Sequence, residues 1–360
     1  MPTAMTSRFA ALASTALLLL LPALSAAQTA QIEVPADAMR SPLGDEHRQL
    51  IATYLDAQAA AMGQADQAAQ VLQVRNDLLA AYRKYENINY QLPFSQLAAQ
   101  KLTPLLDSDQ PLKQVNIAMT LSQMAQVGVQ SSLEKMLVHA SPAVRFYGWQ
   151  GFERIRMLVL AQGPEPVNEM FTAFQAAIAK ETSACVLRAI YPVLVYDQPK
   201  PNFVGAPEYQ DASQRSLDML TNLWPRQCTM VGTADVAAIR SAQAGVRKLD
   251  ALARTRAGNR DGQMPVLLMD VAMMTCAADA YKASGGEGLA ADELRLLLKD
   301  LQESINLITA MHVSPITDAM KQSNAKTRSE MVAKAVQQWV SELQAAGYPV
   351  QPSGDTGAAQ

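Results

Sequence analysis

Apolar residues recur at intervals of three and four along most of the chain, which is the spacing of amphipathic helices. The clearest case is the stretch 290–311, where the apolar side carries Leu294, Leu297, Leu301, Ile305 and Ile308. No stretch shows the strict alternation of apolar and polar residues that is typical of strands. We therefore expect an all-α protein.

The strongest local pattern lies in the stretch 137–152, which we interpret as the joint between two antiparallel helices. Ser141 is placed to cap the second helix, and Pro142 stands at its first position, where a missing N–H costs nothing. Val144 is predicted to enter the core. Gly148 and Gly151 weaken a helix by about 1 kcal/mol each relative to alanine, which is tolerable where another helix approaches closely.

Three segments of similar pattern follow one another between residues 94 and 196. Each ends in an aliphatic residue followed by a base: Lys113, Arg145 or Arg188. The run Pro142, Val144, Arg145, Gly148, Gly151 resembles the second helix of HEAT-type repeats. The resemblance implies stacked helical hairpins, an α-solenoid, over about residues 94–196. The bases at 113, 145 and 188 are expected to bond neighbouring turns; a ladder lining a binding groove is the alternative.

The predicted organisation has six parts. They are a signal peptide at 1–27, a flexible leader at 28–44, a helical repeat array at 45–196, a Pro-rich loop at 197–212, a C-terminal helical region at 213–347 and a disordered tail at 348–360. We expect the C-terminal region to continue the array or to pack against it as a bundle.

The beginning of the chain predicts where the protein works. Arg8 precedes an apolar run at 9–24, and small residues at 25–27 suit a cleavage site. The run is short for a spanning helix, although a membrane anchor is the alternative interpretation. We expect an exported protein, periplasmic or extracellular, with no membrane span after the signal is removed.

The charge content argues against nucleic-acid binding, and the cysteine content suggests a disulfide. The chain has 30 Lys+Arg against 33 Asp+Glu, and no basic stripe carries interleaved aromatics, so a nucleic-acid partner is not expected. Of three cysteines, Cys228 and Cys276 form the preferred disulfide pair, which ties a loop to a helix. Cys185 is expected on a buried helix face. Either other pairing, or three free thiols, is also compatible with the sequence.

Two features of the apolar stretch 264–282 could carry chemistry. Asp270 lies on a helix that is expected to be buried all round, so its carboxylate must be paired, hydrogen-bonded or protonated. An ion pair with a neighbouring base is the preferred interpretation, and a raised-pKa catalytic acid is the alternative. Methionines and Cys276 in residues 264–276 could hold Cu(I), although methionine is also good core filler.

No catalytic motif appears, and the three histidines lack metal-ligand spacing, so we expect no metal and no cofactor. The leading hypothesis is an exported, non-catalytic scaffold that binds a protein or peptide. Arg154 and Arg156, further along the second repeat helix, are the candidate binding surface. The alternatives are an enzyme with a carboxylate site near Asp270 and a copper binder at 264–276.

Overall fold

The computed structural model of the protein describes residues 32–196 and 206–350. Within these two ranges the chain forms fourteen α-helices and three short 3-10 helices, with no strand. The all-α prediction is therefore confirmed. The predicted signal peptide at 1–27, most of the Pro-rich loop and the last ten residues lie outside the described ranges.

The helices follow one another with short connections. In chain order they are α1 (Asp45–Gln64), α2 (Ala68–Arg83), α3 (Ile88–Leu102), α4 (Pro111–Gln123), α5 (Gln130–Leu137), α6 (Pro142–Leu160), α7 (Pro164–Lys180), α8 (Ala184–Leu194), α9 (Pro207–Gly232), α10 (Val236–Thr255), α11 (Arg260–Ala283), α12 (Gly288–Thr309), α13 (Pro315–Ala319) and α14 (Ala325–Ala345).

Helices two apart in the chain pack side by side. The even helices α2, α4, α6, α8, α10 and α12 each contact the next in that order. Among the odd helices α1 packs on α3, α5 on α7, α7 on α9 and α9 on α11, and α11 then meets α14. The even-numbered helices thus form one row and the odd-numbered helices another. One hydrophobic cluster runs through both rows, from Ile32 to Val350.

The packing continues across the predicted boundary between the array and the C-terminal region. Tyr191 of α8 meets Trp224 of α9 edge to face, with ring centroids 5.9 Å apart. The buried Tyr191 hydroxyl lies 3.1 Å from Gln227 Oε1, to which it donates a hydrogen bond. The two predicted regions therefore share one core.

The joint between α5 and α6 forms where expected, with one difference at its cap. Ser141 occupies the N-cap position, but its side chain makes no capping hydrogen bond. Its backbone N–H donates instead to His139 Nδ1, at 3.0 Å. Gly148 and Gly151 face α5, and a Cβ at Gly151 would lie 2.5 Å from Leu133 Cδ2. The glycines thus permit the close approach of the two helices.

Three predicted boundaries need correction. Residues 32–44 are not a flexible leader: Ile32, Val34 and Leu43 are buried, and Ile32 O accepts from Lys84 Nζ at 2.9 Å. Helix α9 begins at Pro207, inside the predicted loop, because proline suits the first turn of a helix. The start of the predicted tail is packed, since Val350 is buried. In each case a segment that contains proline or lacks a helical period proved to be part of the packed fold.

Gly151→Ala tests the contact between α5 and α6. The added methyl group would overlap the Leu133 side chain, so the strain should exceed the gain in helix propensity. We expect a net loss of about 1–2 kcal/mol in the free energy of unfolding, measured by urea denaturation. Gly63→Ala in α1 is the matched control, because nothing lies within 4 Å of the position that its Cβ would take. That variant should gain up to about 1 kcal/mol; equal effects at both sites would contradict the packing argument.

Candidate functional site

An open groove lies between α9 and α11, and within the described chain residues of these two helices alone line it. The helices run parallel, since Trp224 Nε1 donates to the Met269 carbonyl at 2.6 Å and Cys228 interacts with Cys276 further along both helices. The groove encloses about 1170 Å³. This is slightly larger than an ordinary small-molecule pocket.

The groove combines an apolar surface with an acidic rim. Its apolar lining includes Leu217, Trp224, Met264, Leu268 and Met269. Asp218, Asp261 and Asp279 are the charged residues among those that line it, and none of the lining residues is Lys, Arg or His. The surface therefore favours a ligand that is apolar on one side and positively charged at its edges.

Two prolines in the groove wall change the helical hydrogen bonding there. Pro225 lies inside α9 and Pro265 inside α11, and both line the groove. A proline has no N–H for the carbonyl four residues earlier, so the carbonyls of Thr221 and Asp261 lose their usual helical donors. Thr221 and Asp261 also line the groove.

The sequence pattern did not predict this groove, because Pro225 suggests the end of a helix at Trp224 and so places Cys228 in a loop. Helix α9 instead continues through Pro225 to Gly232. Helix α11 was expected to be buried all round, yet Leu268 is 38% exposed and Ala272 is exposed as well. Leu268 and Ala272 are four residues apart and so lie on the same side of the helix. This spacing was the one sequence feature that could have indicated an exposed side.

Helix α11 is also long and apolar enough to cross a membrane, by length and composition alone. Its most apolar 18-residue window has a mean hydropathy of 1.3, and 67% of that window is buried inside the fold. The packing of α11 against α9, α12 and α14 is that of a core helix.

The two cysteines of the predicted disulfide lie next to each other in the groove wall. Both are free thiols, and each alters the pKa of the other. The interaction with Cys228 lowers the pKa of Cys276, while the interaction with Cys276 and burial raise the pKa of Cys228. Cys185 is exposed rather than buried. It therefore lies on the outer side of α8, contrary to expectation.

Asp270 is buried completely but has no basic partner within the described chain, which corrects the preferred ion-pair interpretation. Its Oδ2 accepts a hydrogen bond of 2.6 Å from Ser304 Oγ of α12, and its Oδ1 has no partner among the described residues. Burial raises the pKa of Asp270 to about 8, against the opposing effect of the Ser304 hydrogen bond. The carboxyl group is therefore protonated at neutral pH. It does not line the groove, so a catalytic role would lack access to substrate.

The three recurring bases have different surroundings. Arg145 forms a two-pronged ion pair with the buried Glu181, with nitrogen–oxygen distances of 2.7 and 3.0 Å, and also donates to the carbonyls of His139 and Ala140. Lys113 Nζ donates to the Gly63 carbonyl at 2.6 Å. The third base, at position 188, is exposed. Two of the three bases thus connect turns, and none of the three lines the groove.

Arg154 and Arg156, the predicted binding surface, are engaged in contacts with neighbouring helices. Arg154 Nη1 donates to the Ser122 carbonyl of α4 at 2.6 Å. Arg156 donates to the Val193 carbonyl of α8 and lies over the Tyr196 ring, 4.5 Å from its centroid. The arginines reach opposite neighbours of α6, so they do not form one common patch.

The predicted soft-metal donors are only partly brought together. Met264, Met269 and Cys276 line the groove, and Cys228 joins them from α9. Met273 and Met274 are fully buried in the core instead. In the described part of the chain, no group of three or more His, Cys, Asp or Glu residues could hold a metal ion.

No model of a known protein family matches the chain, and no curated protein matches it significantly.

Arg145→Ala should destabilise the protein strongly. The substitution leaves Glu181, which is 1% exposed, without its cation, so we expect a loss of about 3 kcal/mol in the free energy of unfolding. Arg188→Ala, at the equivalent sequence position, should change it by less than about 0.5 kcal/mol. Urea denaturation of both variants measures the difference. Similar losses of unfolding free energy in the two variants would contradict the view that the Arg145–Glu181 ion pair stabilises the fold.

Asp270→Asn should remove a pH dependence of stability. The pKa of Asp270 is about 8 in the folded protein and lies near 3.8 when unfolded, so its contribution is complete below about pH 4 and is lost as the pH rises towards 8. Between pH 5 and 8 the wild type should lose about 2–4 kcal/mol relative to the variant. Chemical denaturation at both pH values measures this. Asp109→Asn, at an exposed site, should follow the wild type; a wild-type-like profile for Asp270→Asn would refute the assignment.

Proposed function

We propose that this protein is an exported, non-catalytic scaffold that binds a basic amphipathic helical segment of a partner protein in the groove between α9 and α11. The observation that carries the proposal is the groove itself, with its apolar lining and its exclusively acidic charges. Export rests on the predicted signal peptide at 1–27.

The architecture supports a binding role. Two rows of helices, in which neighbours of a row contact one another, are what a HEAT-like array of stacked hairpins would produce. We infer that the array extends through α12, beyond the stretch 94–196 that carries the sequence resemblance. Such arrays offer long surfaces between parallel helices, and the groove is one of these.

The dimensions suit a helix as the occupant. Residues 217–232 of α9 span about 24 Å, which is the length of a helix of about 16 residues. An amphipathic helix would place its apolar face on Trp224, Met264 and Leu268. Lysine or arginine side chains at its edges would meet the three aspartates of the rim.

The alternative of an enzyme centred on Asp270 has less support. The carboxyl group is sealed between α11 and α12, and Ser304 is its one hydrogen-bond partner in the described chain. Asp250 contributes to its raised pKa but forms an ion pair with Arg254 on the surface of α10. A neutral, inaccessible acid fits a structural role.

A pair of designed peptides tests the proposed function. Each is a labelled helix of about 15 residues with the same leucine face, and one carries lysines at its edges where the other carries glutamates. We expect the lysine peptide to bind in fluorescence anisotropy, with an affinity that falls at high salt, and the glutamate peptide to bind at least about tenfold more weakly.

A lysine placed in the groove wall tests the binding site, and a lysine placed elsewhere is the matched control. Leu268→Lys should weaken the lysine peptide at least tenfold, which corresponds to about 1.4 kcal/mol. Leu296→Lys, on α12 outside the groove, changes the net charge equally at a side chain that is 53% exposed and should bind normally. Equal effects of the two variants, or equal binding of the two peptides, would reject the groove as the binding site.

A further inference from the structure

The groove wall contains a pair of thiols whose arrangement is unlike that of isolated buried cysteines. Cys228 of α9 and Cys276 of α11 both line the groove, and each lies beyond the Trp224–Met269 hydrogen bond that joins the two helices. Each of the two thiols also alters the pKa of the other. The third cysteine, Cys185, is exposed on α8 and is not among the groove residues. The pair is thus set apart from it in the fold.

The two thiols differ in access and acidity. Cys228 is 7% exposed, whereas Cys276 is partly exposed. The interaction with Cys228 lowers the pKa of Cys276, although burial and the nearby Asp279 act in the opposite direction. The more accessible sulfur is therefore also the one that more readily becomes a thiolate, which is the reactive form.

We propose that Cys228 and Cys276 are a dithiol–disulfide couple, which reacts through Cys276 and, when oxidised, joins α9 to α11 across the groove. The oxidant is a disulfide compound, either a small molecule such as oxidised glutathione or the disulfide of a protein oxidase. Because exported proteins meet oxidising surroundings, such a reaction is expected there.

The reaction is an ordinary thiol–disulfide exchange in two steps. The Cys276 thiolate attacks one sulfur of the oxidant, forms a mixed disulfide and releases the other half as a thiolate. Cys228 then loses its proton and attacks Cys276 Sγ, which forms the internal disulfide and releases the second half of the oxidant. The protein loses two hydrogen atoms, and one disulfide of the oxidant becomes two thiols.

Oxidation should also change the groove, and this part of the inference rests on the proposed function. In the reduced protein each thiol can turn about its own Cα–Cβ bond to make room for a ligand side chain. A disulfide holds both sulfurs across that end of the groove in a fixed geometry. The oxidised protein should therefore bind the lysine peptide more weakly.

Thiol counting in a Cys185→Ser background tests the couple directly. The protein is equilibrated in glutathione buffers of graded redox ratio, quenched, denatured and labelled with a maleimide. We expect the labelled thiols to fall from two to none in one transition, with a monomer whose intact mass is lower by two hydrogen atoms. The oxidised form should melt roughly 5 °C higher, because the cross-link closes a long loop.

Two further variants identify the attacking sulfur. With Cys228→Ser added, Cys276 should take up one glutathione; with Cys276→Ser added, Cys228 should do so at least about tenfold more slowly. Two thiols that persist in oxidising buffer, or that each take up glutathione independently, would overturn the couple. Equal rates in the two variants would overturn the role of Cys276.

The peptide experiment separates the inference from the proposed function. The lysine peptide should bind the oxidised protein at least about threefold more weakly than the reduced protein, and the Cys228→Ser/Cys276→Ser variant should show no redox effect. Equal binding by both forms would overturn the effect on the groove. A failure of the peptide to bind either form would reject the proposed function, while the thiol count would still decide the couple.

Discussion

Most helices of this protein bury an apolar face against the helix two positions away in the chain. A single helical hairpin has too little apolar surface to cover itself, so stability must come from the succession of contacts along each row. The even row from α2 to α12 shows this dependence without interruption. The aromatic contacts of Phe174 with Trp149 and Phe152, with ring centroids 4.9 and 4.8 Å apart, extend it between the rows.

Each turn between stacked helices contains backbone carbonyls that lack a hydrogen-bond donor, because the last carbonyls of a helix have no partner within it. In this protein, arginines supply donors to several of these carbonyls. Arg145 donates to the carbonyls of His139 and Ala140, just after the end of α5, and to the buried Glu181 after α7. Glu181 in turn accepts from the backbone N–H groups of Thr182 and Ser183, at the start of α8. Arg226 of α9 binds the carbonyls of Ile178, Ala179 and Glu181. The turns are thereby tied to one another as well as to their own helices.

Helical periodicity was sufficient to predict the all-α class, because the apolar stripes are long and regular. The predicted stretch 290–311, for example, nearly coincides with α12. Prolines caused the main errors. Pro207 begins a helix inside the predicted loop, and Pro225 lies within a helix that was expected to end there. A proline constrains its own residue and the one before it, but packing on both sides of α9 outweighs the lost hydrogen bond. The energy of this packing depends on residues that are distant in the sequence, so the local pattern around Pro225 does not reveal it.

The candidate site was harder to predict for a related reason. Arg154 and Arg156 are charged residues of the kind expected on an exposed surface. Each nevertheless donates to a carbonyl on a neighbouring helix, and that carbonyl is near in the fold but not in the sequence. The neighbouring positions of Cys228 and Cys276 were anticipated from the rule that exported proteins pair their cysteines. Their place in a groove was not, because the groove depends on α9 and α11 running parallel with α10 between them in the chain.

The groove also explains an apparent contradiction in α11, whose apolar composition would suit a membrane but whose packing is that of a core helix. The side towards α12 and α14 is fully covered and carries Met273, Met274 and the protonated Asp270. The opposite side carries Leu268 and Ala272, which the described chain leaves uncovered. One side of α11 is therefore covered by the fold, whereas its other side forms, with α9, a groove edged by Asp218, Asp261 and Asp279. This is the surface that the proposed partner helix would cover.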